Sequence, residues 1–229
     1  FASEYSIKND EEIFFSESVY RGNAFYGASV NGFVGSDRFP PVPPPPVTER
    51  GYVTFGYFGG AHKLNRKIFA IWGQILDRLP SARIVLKAHV YAQLRFRNAI
   101  LQLATDAGLD INRLELREPT DFQTYIAEYA DIDIVLDATP HSGGASVVEA
   151  LWMGRPVISL YGNRWAGRSG AEFLRLMGRE ELIALSAEDY VEHTVKLASD
   201  PDKIVELSQS FRAEFSNSPL ADIPSYNRQ

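Results

Sequence analysis

The sequence contains no cysteine and only four histidines. The lack of cysteine excludes disulfides and thiolate metal sites, and the histidines have neither HxxxH nor HxH spacing, so we predict no metal site. No stretch reaches the roughly 20 consecutive apolar residues of a membrane-spanning helix, and residues 1–4 have neither the basic nor the apolar character of a signal peptide. We therefore expect a protein without a membrane span, located in the cytoplasm.

The chain also has fewer basic than acidic residues. The chain has 23 Lys and Arg against 29 Asp and Glu, a formal net charge of −6. Proteins that bind nucleic acid generally hold its phosphates with clustered Lys and Arg, so this balance argues against a nucleic-acid partner. Any phosphate bound by this chain must be held locally. With 229 residues, 45% of them hydrophobic, the chain can form one sizeable core or two small ones.

Residues 1–46 differ in character from the rest of the chain. They show no sustained periodicity and end in Phe39 followed by a proline-rich run to Pro46, which must be extended, polyproline-like backbone. We interpret this segment as a linker. Two arrangements fit it equally: a strap that lies on the domain formed by residues 47–229, or a hinge between two domains.

From Tyr52 onward, short apolar runs alternate with stretches of helical periodicity. The pattern predicts strands at residues 52–57, 84–86, 114–116, 132–136 and 156–160, and helices at residues 63–79, 92–107, 122–130, 145–153, 165–177, 187–199 and 202–215. Alternating apolar strands and helices are typical of a parallel sheet that is covered on both faces. The predicted fold class is α/β, with a Rossmann-like parallel sheet.

The first loop of interest follows the first predicted strand. Ligands of open parallel sheets bind at the carboxyl ends of strands, and here Gly59 and Gly60 lead into a helix predicted to begin at Lys63. Glycines let backbone amides approach an anion, and the lysine adds a full charge, which suits a diphosphate. A tight turn followed by a solvated lysine is the ordinary alternative. The loop lacks the GxGxxG and GxxxxGK[ST] spacings, which disfavours dinucleotide and P-loop sites.

The second loop follows the predicted strand that ends before Asp137. Gly143 and Gly144 open a helix, and the hydroxyl of Ser146 can donate to a phosphate oxygen. Glu149 lies about one turn from Ala145 on the same face, and its carboxylate can accept from two vicinal hydroxyls such as those of a ribose. Alone, Glu149 fits a helix residue that complements the dipole or pairs with an arginine. Together, phosphate donors and a diol acceptor occur in the order that a sugar nucleotide presents them.

Other polar residues of the chain fit structural or surface positions better than the site. The Asp131-Ile132-Asp133 sequence is not expected to bind a metal, because it begins a strand and therefore lies at the end of the sheet opposite the site. Lys87, Asn163 and Arg168 lie in loops or at strand ends, where they could contact phosphate. Solvated surface side chains are the stronger expectation for all three.

These residues resemble the catalytic region of the O-GlcNAc transferase and SPINDLY-like family. The similar segments are residues 52–58 with Lys63, residues 71–80, residues 134–137, and Gly143-Gly144 followed by residues 149–157. The resemblance covers about residues 50–200. It implies the C-terminal half of a GT-B fold, in which two Rossmann-like domains face each other across a cleft, often after TPR repeats. Residues 1–46 would then be the tail of a first half that is missing here.

The resemblance also implies site residues. Lys63 matches the family's essential lysine, which neutralises the leaving diphosphate, and Glu149 matches its ribose-binding acid. Tyr125 takes the place of a base-stacking residue that is often His, although a tyrosine at this helical spacing is also an ordinary packing residue. Thr120 belongs to a loop that would contact the base edge. The phosphate-binding positions are Gly143, Gly144, Ala145 and Ser146, where several members have two threonines in place of the last two residues. Glu149 replaces an Asp found in some members.

The expected function is metal-independent, inverting transfer of GlcNAc or a hexose from a UDP-sugar to a Ser or Thr hydroxyl of a protein. No cofactor is expected besides the donor substrate. The expected partners are the nucleotide sugar, a protein acceptor, and the first Rossmann-like half, supplied in cis or in trans. Two alternatives stay open: another GT-B transferase that uses GDP-fucose or a different acceptor, and a non-catalytic domain that binds nucleotide sugars.

Overall fold

The computed structural model describes residues 6–19, 21 and 38–221. Residues 1–5, 20 and 22–37 of the predicted linker segment, and residues 222–229, lie outside this description. The described strands are β1 (Thr54–Tyr57), β2 (Arg83–Lys87), β3 (Leu114–Arg117), β4 (Ile134–Leu136), β5 (Val157–Leu160) and β6 (Ile183–Ala184). The α-helices are α1 (Val47–Arg50), α2 (Arg66–Arg78), α3 (Leu94–Asp106), α4 (Phe122–Ala127), α5 (Ala145–Trp152), α6 (Ser169–Leu176), α7 (Ala187–Ala198) and α8 (Pro201–Asn217).

The strands form one parallel sheet in the order β3-β2-β1-β4-β5-β6. This is the Rossmann order, in which the direction of winding reverses between β1 and β4. Helices cover both faces, and the central strands carry fully buried apolar side chains: Phe55, Ile84, Leu136 and Ile158. The predicted α/β fold with a Rossmann-like parallel sheet is confirmed.

Helix α2 begins later than the sequence predicts. We expected the helix to start at Lys63, but its first residue is Arg66, and Lys63 ends a short 3-10 helix, Ala61–Lys63. The reason is Asn65, whose side chain accepts hydrogen bonds from the amides of Lys67 (3.0 Å) and Ile68 (3.1 Å). Asparagine is a strong N-cap, so it sets the start of the helix at the next residue.

The other predicted elements agree with the structure in most places. Strands β1 to β5 and helices α3, α5, α7 and α8 match their predicted ranges to within two residues at each end. The predicted helix at 122–130 is split into α4 and a 3-10 helix, Glu128–Asp131, and the one at 165–177 into a 3-10 helix, Trp165–Gly167, and α6. The two short elements β6 and α1 are absent from the prediction. Within the described ranges, no helix is both long and apolar enough to span a bilayer.

The proline-rich segment lies on the α/β domain as a strap. The buried side chain of Arg155 donates to the carbonyl oxygen of Pro43 at 2.8 Å, and Arg212 donates to that of Pro40 at 2.8 Å. Buried Asp133 accepts from the amides of Val47 and Thr54, both at 2.8 Å. The bonds at Pro43 and Val47 fasten the end of the strap to the amino end of the sheet. The domain boundary between residues 46 and 47 stays a prediction.

Candidate functional site

The two loops singled out from the sequence meet where the sheet changes its direction of winding. Strands β1 and β4 are neighbours, so the loops at their carboxyl ends lie side by side. The Nζ of Lys63 donates to the carbonyl oxygen of Ser142 at 2.7 Å, and the Nδ2 of Asn65 donates to that of Thr139 at 2.6 Å. The side chains of the first loop therefore hold the backbone of the second.

The amine of Lys63 is half-buried in this contact. Burial lowers its pKa, and the nearby carboxylate of Asp137 acts in the opposite direction. The charge of Lys63 comes from a side chain that crosses from a 3-10 turn to the neighbouring loop, and not from the first turn of α2 as the sequence suggested.

Asp137 organises the loop between β4 and α5. Its fully buried carboxylate accepts from the hydroxyls of Ser142 (2.5 Å) and Ser159 (2.7 Å), and from the amides of Gly143 (2.7 Å) and Ala138 (2.9 Å). Burial raises the pKa of this carboxyl group, while the four donors favour its ionised form. The network fixes the backbone that leads into α5.

The four predicted phosphate-binding residues differ in what their amides can reach. Gly143 is buried and its amide donates to Asp137. Gly144 is the N-cap of α5, and Ala145 and Ser146 form its first turn. Amides of a first helical turn have no acceptor within the helix, so those of Gly144, Ala145 and Ser146 are the ones suited to an anion.

A cavity of about 640 Å³ adjoins the two loops. Three of the predicted residues, Thr120, Tyr125 and Glu149, line it together with Gly59 and Gly60. Lys63 and residues 143–146 do not line it. They flank it, because Lys63 follows the lining residue His62, and Ser146 lies three residues before Glu149 on α5.

The structure joins Tyr125 and Glu149 directly. The hydroxyl of Tyr125 donates to the Oε2 of Glu149 at 2.5 Å and lies 3.3 Å from the hydroxyl of Tyr129, which donates to the carbonyl oxygen of Ser146 at 3.2 Å. Burial raises the pKa of Glu149, and the bond from Tyr125 opposes this shift. Sequence reasoning missed this contact, because the two residues lie 24 positions apart on different helices.

The prediction of a solvated side chain is wrong for Lys87. It is buried, forms a 2.7 Å ion pair with Glu128, and donates to the carbonyl oxygen of Glu118 at 2.6 Å. Glu128 also accepts from the hydroxyl of Thr120 at 3.1 Å. Lys87 ends β2 at the cavity, so its position at the carboxyl end of a strand was the available signal. The pair supports the loop that carries Thr120.

Arg168 was also predicted to be solvated and is fully buried. Its guanidinium forms a two-point ion pair with Glu11 (2.5 and 2.6 Å) and donates to the carbonyl oxygens of Ser6 and Gly162. It therefore fastens residues near the start of the chain beside the loop that follows β5. Asn163 is exposed, as expected.

Asp131 and Asp133 have structural partners at the amino end of β4. Asp131 pairs with Arg50 at 2.9 Å and Arg117 at 2.8 Å, while Asp133 accepts from the amide of Val47, directly after the strap, and from that of Thr54 in β1. Within residues 6–19, 21 and 38–221, no group of three His, Cys, Asp or Glu side chains could hold a metal ion.

Comparison with known proteins identifies related sequences. Residues 49–229 match the family model described as glycosyl transferase family 41. The chain is similar to the probable UDP-N-acetylglucosamine–peptide N-acetylglucosaminyltransferase SPINDLY of Solanum lycopersicum, with 32% identity over 189 residues that cover 82% of this chain and 20% of that protein. SPINDLY of Arabidopsis thaliana is 32% identical over 187 residues, covering 81% of this chain and 20% of its own length. The chain thus spans about a fifth of these relatives.

A solved structure shares the fold. The chain resembles the K341M mutant of Thermobaculum terrenum O-GlcNAc transferase with a TM-score of 0.82 and 26% identity. The match covers 99% of this chain and 43% of that one. The sheet and its helices therefore match one part of a larger transferase chain.

Proposed function

The chain belongs to glycosyl transferase family 41, and on this basis we propose that it is the donor-binding half of an inverting, metal-independent enzyme. This half takes a UDP-sugar, and the enzyme transfers GlcNAc or a hexose to a Ser or Thr hydroxyl of a protein. The fold is that of the C-terminal domain of a GT-B glycosyltransferase.

The hydrogen bond from Lys63 to the carbonyl oxygen of Ser142 is the observation that carries this proposal. It holds a cation beside the loop that leads into the first turn of α5. Glu149 lies farther along the same helix and lines the cavity with Tyr125 and Thr120. Diphosphate, ribose and base are joined in that order in a UDP-sugar, so one ligand can reach all three groups.

The chemistry follows from where charge develops. When the acceptor hydroxyl attacks the anomeric carbon, the bond to the β-phosphate breaks and its electron pair stays on the phosphate oxygen. Lys63 and the first-turn amides of α5 stabilise this charge, and they are already in position before the reaction begins. The proton of the acceptor hydroxyl leaves on the opposite side of the sugar, toward the first Rossmann-like half.

Titration calorimetry with UDP, GDP and ADP tests the donor assignment. We expect UDP to bind, and Lys63→Ala to weaken its binding about tenfold to a hundredfold, because a charge-assisted hydrogen bond is lost. Lys67→Ala is the matched control. Lys67 is exposed in the first turn of α2 and lines no part of the cavity, so its removal should leave the affinity for UDP unchanged.

The same titrations separate the alternatives. Tighter binding of GDP than of UDP favours a GDP-fucose donor. It would mean that the space beside Tyr125 and Thr120 accommodates a purine, which needs more room than uracil. Normal UDP binding without transfer, once the first half is present, favours a non-catalytic domain. If none of the three nucleotides gives heat with the wild-type chain, the donor site is wrong.

A further inference from the structure

We propose that Tyr125 is a positioning residue for the ribose: its hydroxyl orients the carboxylate of Glu149 toward the two ribose hydroxyls. This inference rests on the proposed donor site and adds a second task to the residue expected to stack on the base. The observation behind it is the 2.5 Å hydrogen bond from the hydroxyl of Tyr125 to the Oε2 of Glu149 within the cavity wall.

The bond leaves Glu149 enough acceptor capacity for a diol. An ionised carboxylate has about four acceptor positions, and Tyr125 occupies one of them. The donated proton also fixes the rotation of the carboxyl group, so its remaining lone pairs have a defined direction before the ligand arrives. Preorganised acceptors bind more tightly, because no side-chain freedom is lost on binding.

Tyr125 itself is held on two sides. The hydroxyl of Tyr129 lies 3.3 Å from its hydroxyl, and the ring of Phe58 lies 5.8 Å from its ring, centroid to centroid. Tyr129 in turn donates to the carbonyl oxygen of Ser146 in the first turn of α5. The chain of contacts therefore connects the ribose acid on α5 with the phosphate end of the same helix.

The enclosed position of Glu149 makes the hydroxyl of Tyr125 necessary to keep the carboxylate ionised. Glu149 is largely enclosed, and burial opposes its ionisation, whereas the bond from Tyr125 favours the charged form. Phenylalanine at position 125 would keep the aromatic ring and lose only this donor. The substitution thus separates stacking on the base from orientation of the acid.

The test measures two nucleotides on the 229-residue chain by titration calorimetry: UDP, and 2′,3′-dideoxy-UDP, which lacks both ribose hydroxyls. Wild type should prefer UDP by about tenfold to a hundredfold. In Tyr125→Phe, the affinity for UDP should fall about tenfold while that for dideoxy-UDP stays within about twofold. In a Glu149→Gln background, Tyr125→Phe should no longer change the preference.

Tyr91→Phe is the matched control. The hydroxyl of Tyr91 is buried and has no hydrogen-bond partner within the described residues. Tyr91→Phe therefore deletes an equivalent hydroxyl that does not contact Glu149. This variant should keep the wild-type preference for UDP. Thermal unfolding of both Phe variants monitors the fold.

The outcomes are distinguishable. A selective loss of UDP affinity in Tyr125→Phe supports the inference. An equal loss for both nucleotides, or no loss for either, overturns the inference and leaves the donor assignment intact. A wild type that does not distinguish the two nucleotides overturns the inference and the ribose-binding role of Glu149, and leaves the diphosphate and base assignments intact. A wild-type chain that binds neither nucleotide overturns the proposed function and the inference together.

Discussion

At the scale of single residues, the hydrogen-bond network around Asp137 leaves no room for a side chain at position 170. A Cβ on Gly170 would meet the carboxylate of Asp137 and would lie 2.7 Å from the Oγ of Ser159. The amide of Gly170 also donates to the hydroxyl of Ser142 at 2.8 Å. This position thus requires glycine because the hydrogen-bond network around Asp137 fills the space beside it.

Gly170→Ala should therefore damage the loop whose amides are proposed to bind phosphate. We expect the free energy of unfolding to fall by about 1–3 kcal/mol through overpacking, and the affinity for UDP to fall with it. Urea titration and calorimetry measure the two effects. Gly73→Ala, in α2, is the control, because the nearest atom to its added Cβ outside the helix would be the Cα of Leu109 at 3.8 Å. Helix propensity should raise the stability of this variant by up to about 1 kcal/mol. Equal stability of the two variants would contradict the packing argument.

Because of Lys63, the affinity for UDP should decrease at alkaline pH. The protonated amine is the form that attracts a diphosphate, so affinity should fall as the pH rises through its pKa. Burial lowers that pKa, and the fall should therefore begin below the value of about 10.4 that is usual for lysine. Titrations of UDP at increasing pH measure it.

Lys63→Arg identifies the group responsible. Arginine stays protonated over this range, so the variant should bind UDP without the alkaline fall. The pKa of Tyr125 is raised by burial, so deprotonation of that hydroxyl would act at higher pH. An unchanged alkaline fall in Lys63→Arg would mean that another group titrates.

At the scale of elements, a short 3-10 helix near the start of the chain is fastened by one ion pair. Glu11 belongs to the helix Asn9–Phe14, and its carboxylate also accepts from the amide of Lys8 at 2.9 Å. The guanidinium of Arg168 beside it lowers the pKa of Glu11 to about 2. The helix thus attaches next to the loop after β5, at the edge of the sheet that carries the site.

This ion pair should stabilise the protein above the ordinary glutamate pKa and less so in acid. Because the pKa of Glu11 is lower in the folded state, its contribution is complete above about pH 4.5 and is lost as the pH falls toward about 2. We expect Glu11→Gln to cost about 1–3 kcal/mol at neutral pH and almost nothing near pH 2. Urea titrations at several pH values measure the difference.

The neighbouring Glu12 gives the comparison. It pairs with Arg21 at 2.5 Å, but its side chain is 45% exposed. Solvent screens such a pair, so Glu12→Gln should change stability by less than about 1 kcal/mol at any pH. If the two substitutions had the same effect across the pH range, the buried position of Arg168 would not matter.

The elements that could be predicted from sequence are those whose signal is local. Apolar runs placed strands β1 to β5, and the paired glycines placed the start of α5. Three contacts could not be found this way: Lys87 with Glu128, Tyr125 with Glu149, and Arg168 with Glu11, which is 157 positions away. Each joins side chains on different elements, and periodicity says nothing about which distant residues meet. The start of α2 was missed for a local reason, because the capping role of Asn65 was overlooked.

At the scale of the whole molecule, the candidate site occupies one edge of a sheet. The cavity, Lys63 and the first turn of α5 all lie at the carboxyl ends of the strands, while Asp131, Asp133 and the end of the strap lie at the amino ends. A donor bound at this edge would present its sugar outward from the sheet. In the proposed enzyme, the first Rossmann-like half faces this edge and carries the acceptor.

The chain alone should therefore bind the donor weakly and transfer little. In the proposed site, binding depends on Lys63, α5 and Glu149, all of which belong to this chain. Transfer also needs an acceptor held in line with the anomeric carbon, and a GT-B site is complete only when both halves close on the substrates. Poor alignment alone costs about a hundredfold in rate, so we expect at least that deficit relative to a protein carrying both halves. Transfer of labelled GlcNAc from UDP-GlcNAc to a Ser/Thr peptide measures it. Adding the first half should restore transfer to the wild-type chain and not to Lys63→Ala, whereas full turnover by the 229-residue chain alone would show that its own residues complete the site.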